Sequence, residues 1–239
     1  MTDLLEETIA AHGGRQRWAQ LSSITTHARW SGTFWALKQQ PGLFSGIDMT
    51  AELHTQRVSI TPFVHDRWRG VFERDGVRIE NAGGEIEEER GNPRASFTGH
   101  EVRTPWDHLH ALYFGGYTMW TYLTVPFVFH EPGFTVTEGE PWTEHGQTWR
   151  RLQVTFPETI ATHNAEQVFY VDTDGLIKRH DYTAEVVGGG LVSHYLHGHK
   201  EFDGIVFPTL RQVFPRQPDN QAATELMFIQ IEFDRYTLS

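Results

Sequence analysis

Apolar and polar positions change their spacing along the chain, and each change predicts a different element. Over residues 3–20, Leu4, Leu5, Ile9 and Trp18 recur at helical intervals, Asp3 stands where a cap is needed, and Glu6 and Glu7 suit the positive end of a helix dipole. The pattern predicts one amphipathic helix, interrupted at Gly13-Gly14. From Ile24 the runs become aromatic and β-branched, and strands are predicted over 24–37, 44–61, 67–73, 77–81 and 85–90. Glu73-Arg74-Asp75-Gly76 and Asn81-Ala82-Gly83-Gly84 read as hairpin turns between them. The style returns in the second half, with strands predicted over 133–138, 148–156, 165–172, 175–187, 191–202, 205–215 and 223–237. Asp172-Thr173-Asp174-Gly175 carries the clearest hairpin signal. Within 175–187, Leu176, His180, Tyr182, Ala184 and Val186 share one face and Arg179, Asp181, Thr183 and Glu185 the other, as in a half-buried antiparallel strand.

Residues 104–130 break this rhythm. Thr104 is placed as N-cap, Pro105 at the first helical position and Asp107 two residues later, followed by Leu109, Leu112, Tyr113, Trp120 and Tyr122 at partly helical spacing. Gly115-Gly116 is expected to split the segment in two. An apolar helical insertion between two β meanders has a natural seat on the concave face of a curved sheet. The fold expectation is therefore mainly β: a curved antiparallel sheet, or half-barrel, with an N-terminal helix and a helical lid. It forms a single domain over 1–239, divided as 1–20 helix, 21–103 first meander, 104–130 lid and 131–239 second meander.

Charge and composition narrow the function. The net charge is −11, with 20 basic against 31 acidic residues, which argues against nucleic acid and against anionic membrane surfaces as partners. The 8 Trp, 7 Tyr and 16 Phe are too many for a disordered acidic chain. The absence of Cys removes disulfides, thiolate ligands and Cys nucleophiles. The most apolar stretch, 112–129, is interrupted by Gly115, Gly116, Thr118, Thr121, Thr124 and Pro126, so membrane insertion is not expected. The first residues, Met1-Thr2-Asp3-Leu4-Leu5-Glu6-Glu7, lack the basic and long apolar regions of a signal peptide, from which a cytoplasmic location is expected.

The helix ending near His12-Gly13-Gly14, the hairpin Asp172-Thr173-Asp174-Gly175-Leu176 leading to Lys178-Arg179, and the turn Asp203-Gly204-Ile205-Val206-Phe207-Pro208-Thr209 give the chain its resemblance to the bacterial lipoprotein-carrier superfamily, the LolA/LolB-like fold. The resemblance implies an incomplete antiparallel barrel, entered by an N-terminal helix and plugged by helices in its concave face. It also implies room for an acyl chain or another apolar molecule. Lipoprotein shuttling itself does not carry over, because neither an export signal nor a lipidated Cys is present in this sequence.

Histidine supplies the candidate chemistry. There are fourteen, ten of them from His100 onward. In Ser193-His194-Tyr195-Leu196-His197-Gly198-His199, a strand would put His197 and His199 on one face as half of a metal site, with His180 as a third ligand if the register aligned. A run of surface histidines accounts for the same residues. His108 and His110 lie about 200° apart on a helix and cannot share a ligand; one of them would face the cavity beside Trp106, Tyr113 and Trp120, and His108 is taken as a general-base candidate that needs a partner carboxylate. His163, in the polar loop Thr159 to Gln167, is the third, although ordinary turn chemistry explains that loop as well. No phosphate-binding loop, dinucleotide fingerprint, Ser-nucleophile elbow or metalloprotease motif occurs, so no cofactor is implied. The leading expectation is binding of an apolar or amphipathic, lipid-like small molecule by a wall of Trp30, Trp35, Trp106, Tyr113, Trp120, Tyr122 and Phe127. The alternative is a histidine-dependent enzyme in the same cavity, with His108, His163 and His180 as catalytic groups and His197 and His199 as metal ligands.

Overall fold

The computed structural model of the chain describes residues 3–239. Two short helices, α1 (Asp3–Ala11) and α2 (Arg15–Trp18), replace the single predicted helix, because Gly13 and Gly14 take positive φ values of 120° and 82°. Leu4, Leu5, Thr8 and Ile9 bury the inner face of α1. The first meander follows as β1 (Ser23–Ser31), α3 (Phe34–Leu37), β2 (Ile47–Glu52), β3 (Arg57–Thr61), β4 (Arg69–Glu73), β5 (Gly76–Glu80) and β6 (Ile86–Gly91). Helix α4 (His108–Thr124) leads to the second meander: β7 (Thr135–Glu144), β8 (Gln147–Thr155), β9 (Glu166–Val171), β10 (Ile177–Ala184), β11 (Gly190–His197), β12 (Lys200–Phe202), β13 (Ile205–Phe207), β14 (Leu210–Pro215) and β15 (Ile229–Leu238).

Thirteen of these strands form one antiparallel sheet in the order β6-β5-β4-β3-β2-β1-β15-β14-β11-β10-β9-β8-β7, and β12 and β13 pair separately. The sheet is curved and does not close into a barrel. Its two ends are the mid-chain strands β6 and β7, while the first and last strands meet at its centre, Ile24 opposite Leu238 and Trp30 opposite Ile231. Strand β6 defends its open edge with Glu87, Glu88, Glu89 and Arg90.

Alternation along each strand assigns the inner face: Ile24, Thr26, Ala28 and Trp30 on β1, and Ile229, Ile231 and Phe233 on β15, are all buried. One hydrophobic cluster runs through both meanders and α4. Several predicted strands are shortened by local chemistry. Residues 34–37 curl into α3, the 53–56 turn divides 44–61, and Gly198 at φ +64° ends β11 at His197. Among the described residues no helix is long and apolar enough to cross a membrane.

Helix α4 differs from its predicted form in two ways. Its N-cap is Asp107 rather than Thr104: the Asp107 carboxylate accepts from His110 N at 2.8 Å, and His110 Nδ1 accepts from Asp107 N at 3.3 Å. It also runs unbroken through Gly115-Gly116. Every residue from Ala111 to Thr124 is buried, as expected of a helix enclosed on all sides.

Candidate ligand-binding site

Helix α4 lies in the concavity and packs on β2–β6. This seat explains its glycines. A Cβ at Gly116 would stand 2.3 Å from Phe72 Cβ, and one at Gly115 3.0 Å from the Phe44 ring. Gly70 of β4 lies equally close to Leu112. The helix thus sits tightly on the first meander and turns a different face, carrying Tyr117, Thr121 and Tyr122, toward the second.

The facing strands present polar groups rather than a continuous apolar wall. The loop between β8 and β9 crosses from the second meander to the first, where Gln56 brackets Ala161 through hydrogen bonds of 2.7 and 2.8 Å and Arg94 donates to Thr162 O at 2.7 Å. Asn164 Oδ1 accepts from Thr183 N, fixing the loop against β10. Held this way, the fully buried His163 stacks on Tyr182 at 3.7 Å between ring centres. Its two ring nitrogens bond the Tyr117 hydroxyl at 3.2 Å and the Tyr122 hydroxyl at 3.4 Å. Tyr122 in turn bonds Tyr182 at 3.1 Å.

Register carries this seam across the sheet. His180 and His194 are direct cross-strand partners, with ring centres 5.7 Å apart. His180 stacks on Phe169 and donates from Nε2 to Gln167 Oε1 at 2.6 Å. Arg211 of β14 donates to Tyr122 O at 2.9 Å, lies 4.5 Å above the Tyr122 ring and approaches His194 Nε2 at 3.5 Å. Because a guanidinium only donates, His194 Nε2 accepts and Nδ1 carries the hydrogen, which finds no partner. Burial holds His163, His180 and His194 well below the ordinary imidazole range, and His12, donating to Thr8 O, is lowered to about 4. All four imidazoles are neutral at pH 7. Beside them, His12, Thr121, Tyr122, His180, Leu196 and Arg211 border a cavity of about 20 Å³, room for one water molecule.

The sequence-predicted residues divide sharply. Tyr122, His163 and His180 come together in this seam. Tyr113 borders a separate open cleft of about 320 Å³ with Arg74, Arg94 and Glu185. Trp30, Trp35 and Trp106 form a dry aromatic cluster with Phe34, Phe44 and Phe114 near α3. Trp120 donates to Glu52 O and Thr55 O, fastening α4 to the β2–β3 turn, and Phe127 stacks on Trp18 at 4.1 Å. These five wall candidates lie away from the cavity, and Trp120 and Phe127 serve as fastenings. His108 is half-exposed and faces Glu88 of β6 at 3.6 Å, outside the concavity. His197 and His199 line an open groove with Trp149, Asp174 and Lys178, the His199 ring also lying 6.4 Å from that of His12, whereas His180 points inward with His194. Strand alternation therefore puts His197 on the face opposite His180, and His199 lies past the end of β11. Among the described residues no three His, Asp or Glu side chains gather as a metal site.

Arg211, His194, Tyr117 and Gln167 were not among the expected site residues. A signal existed for Arg211: it stands two residues before Val213, a parity that puts both on one face of a strand.

No protein-family model matches the chain, and no curated protein sequence is similar to it. Solved structures are similar across nearly its whole length. A LolA superfamily protein from Nitrosomonas europaea covers 98% of this chain over 92% of its own, with TM-score 0.52 and 7% identity. A domain described as an outer membrane lipoprotein-sorting protein from Vibrio parahaemolyticus covers 99% over 91% of its own, with TM-score 0.54 and 8% identity. A DUF1329 family protein from Desulfovibrio piger covers 100% over 94%, with TM-score 0.52 and 12% identity. At these identities the likeness is one of fold, and the chain has a LolA-like fold. The cytoplasmic expectation is corrected by the Vibrio neighbour, whose description as an outer membrane lipoprotein-sorting protein points outside the cytoplasm for that protein. The acidic segment behind that expectation is largely α1, a folded core element silent about compartment; Met1 and Thr2 lie outside the described residues.

Proposed function

We propose that the protein is an extracytoplasmic carrier of an apolar or amphipathic small molecule, taken up between α4 and the second meander. The observation that carries this reading is the asymmetric seating of α4. On one side its glycines lock onto Phe44 and Phe72; on the other it meets β9–β11 and β14 across hydroxyls, imidazoles and a small cavity. A close-packed apolar contact resists opening more than a polar seam with unfilled space, because voids forfeit dispersion contacts. Parting that seam would expose one continuous surface formed by α4, Phe169, Ile177 and Leu196. The carrier fold of the structural neighbours supports the same reading.

Native mass spectrometry of tag-free protein tests it. An excess mass of several hundred daltons, lost on denaturation, is the expected result. Protein of bare polypeptide mass that also takes up no 1-dodecanol after detergent stripping would sink the proposal.

A further inference from the structure

Two guanidinium groups lie deep in this protein, and they are provided for very differently. Arg179 is fully buried between β9, β11 and the β7–β8 hairpin, where Glu144 and Asp181 each approach it at 2.7 Å. Arg211 is 5% exposed and meets no carboxylate. The groups facing it are the phenols of Tyr122, Tyr182 and Tyr236 and the imidazoles of His12, His180, His194 and His199, none of them a carboxylate. Its partners are one carbonyl and one imidazole nitrogen, too few for a fork with five N–H groups. A buried charge without a counter-ion is costly, and proteins retain one where function needs it.

The surroundings give that charge an outlet. Arg211 borders the small cavity between α4 and β14, as does Thr121, whose hydroxyl is buried with no partner. The rest of the lining is mostly apolar: Val125, Phe169, Ile177, Leu196 and Phe207. A cation and a spare hydroxyl at one point of an apolar enclosure match a molecule with one anionic end and a hydrocarbon body. The cavity as it stands has room for one water molecule; parting the seam beside it would let the guanidinium grip a planar, two-oxygen head with paired hydrogen bonds.

Resting on the carrier reading above, we infer that Arg211 is the headgroup site of the cargo, and that the cargo is a long-chain carboxylic acid. Its carboxylate accepts from the unpaired N–H groups of the guanidinium and from the Thr121 hydroxyl, and its chain lies between α4 and the second meander. The ligand supplies the counter-ion that the fold withholds.

Laurate, 1-dodecanol and acetate are the probes, measured by calorimetry on detergent-stripped wild-type protein and on Arg211→Met. The wild type is expected to bind laurate at least tenfold more tightly than dodecanol and to bind acetate immeasurably weakly. Arg211→Met should bring laurate to within threefold of dodecanol. Removing an uncompensated charge should also raise the melting temperature of the stripped variant. Equal wild-type affinities for laurate and dodecanol would overturn the headgroup site and leave the carrier reading standing; binding of neither would remove the carrier reading itself. Acetate binding as tightly as laurate would mean a free-anion site and would likewise overturn the inference. If Arg211→Met does not fold, the wild-type comparison decides alone.

Discussion

Arg179 and Arg211 sit on strands of one sheet, yet truncating them should move stability in opposite directions. Arg179→Met leaves Glu144 and Asp181 buried, with Tyr170, Tyr195 and Ser193 beside them and Arg216 Nε, 3.6 Å from Asp181, as the nearest remaining cation. Removing one partner of a buried pair costs about 3–5 kcal/mol, and urea denaturation should show a loss of that order. Arg211→Met leaves no carboxylate stranded, so its urea midpoint should rise; a fall comparable to that of Arg179→Met would mean that Arg211 is compensated after all. Only part of this contrast is legible in the sequence. The alternation 175–187 puts His180 and Tyr182 on one face and Arg179 and Asp181 on the other, and the structure keeps that division. The pairing of His180 with His194, and the approach of Arg211 to both, depend on long-range register that no local pattern encodes.

At the scale of the element, α4 shows how tertiary packing overrides propensity. Glycine in a helix interior costs about 1 kcal/mol relative to alanine, which is why Gly115-Gly116 reads as a break. The price is met by contact: the missing Cβ at Gly116 lets the backbone settle onto Phe72. Gly116→Ala should therefore reverse the usual sign. In an exposed helix the change stabilises, whereas here it should destabilise by about 1–3 kcal/mol, the range for overpacking a filled core. Chemical denaturation measures this directly, and a stabilised variant would show that α4 can shift on β4 without cost. Strands with clean alternation, such as β10 and β15, were legible from pattern alone. The curl of 34–37 into α3 was not, because aromatic residues suit either element and only the seating of Phe34 and Trp35 against Phe44 and Phe114 decides between them.

At the scale of the whole molecule, the two meanders joined by an apolar insertion were readable, while the pairing of the first and last strands at the centre of the sheet was not, since β1 and β15 lie at opposite ends of the chain. The curved sheet and α4 together enclose a set of neutral imidazoles, and this makes the entire fold sensitive to acid. His12, His163, His180 and His194 all have folded-state pKa values depressed by burial, His12 to about 4 from an ordinary 6.5. For each, the unfolded chain binds a proton more readily than the folded one, so stability rises with pH through this window. The contribution is fully present above about pH 6.5 and is lost progressively as pH falls below it, for His12 down to about 4. His12 alone, shifted by more than two units at about 1.4 kcal/mol each, accounts for about 3 kcal/mol. Urea midpoints should therefore fall steeply between pH 7 and pH 5, with unfolding at pH 5 taking up more than one proton per molecule. Replacing His163 with Gln, which cannot charge, should flatten the profile by close to one proton while keeping a polar partner for Tyr117 and Tyr122. A midpoint unchanged from pH 7 to pH 5 would mean that these imidazoles reach water in the folded protein, and the seam between α4 and the second meander would then be open already.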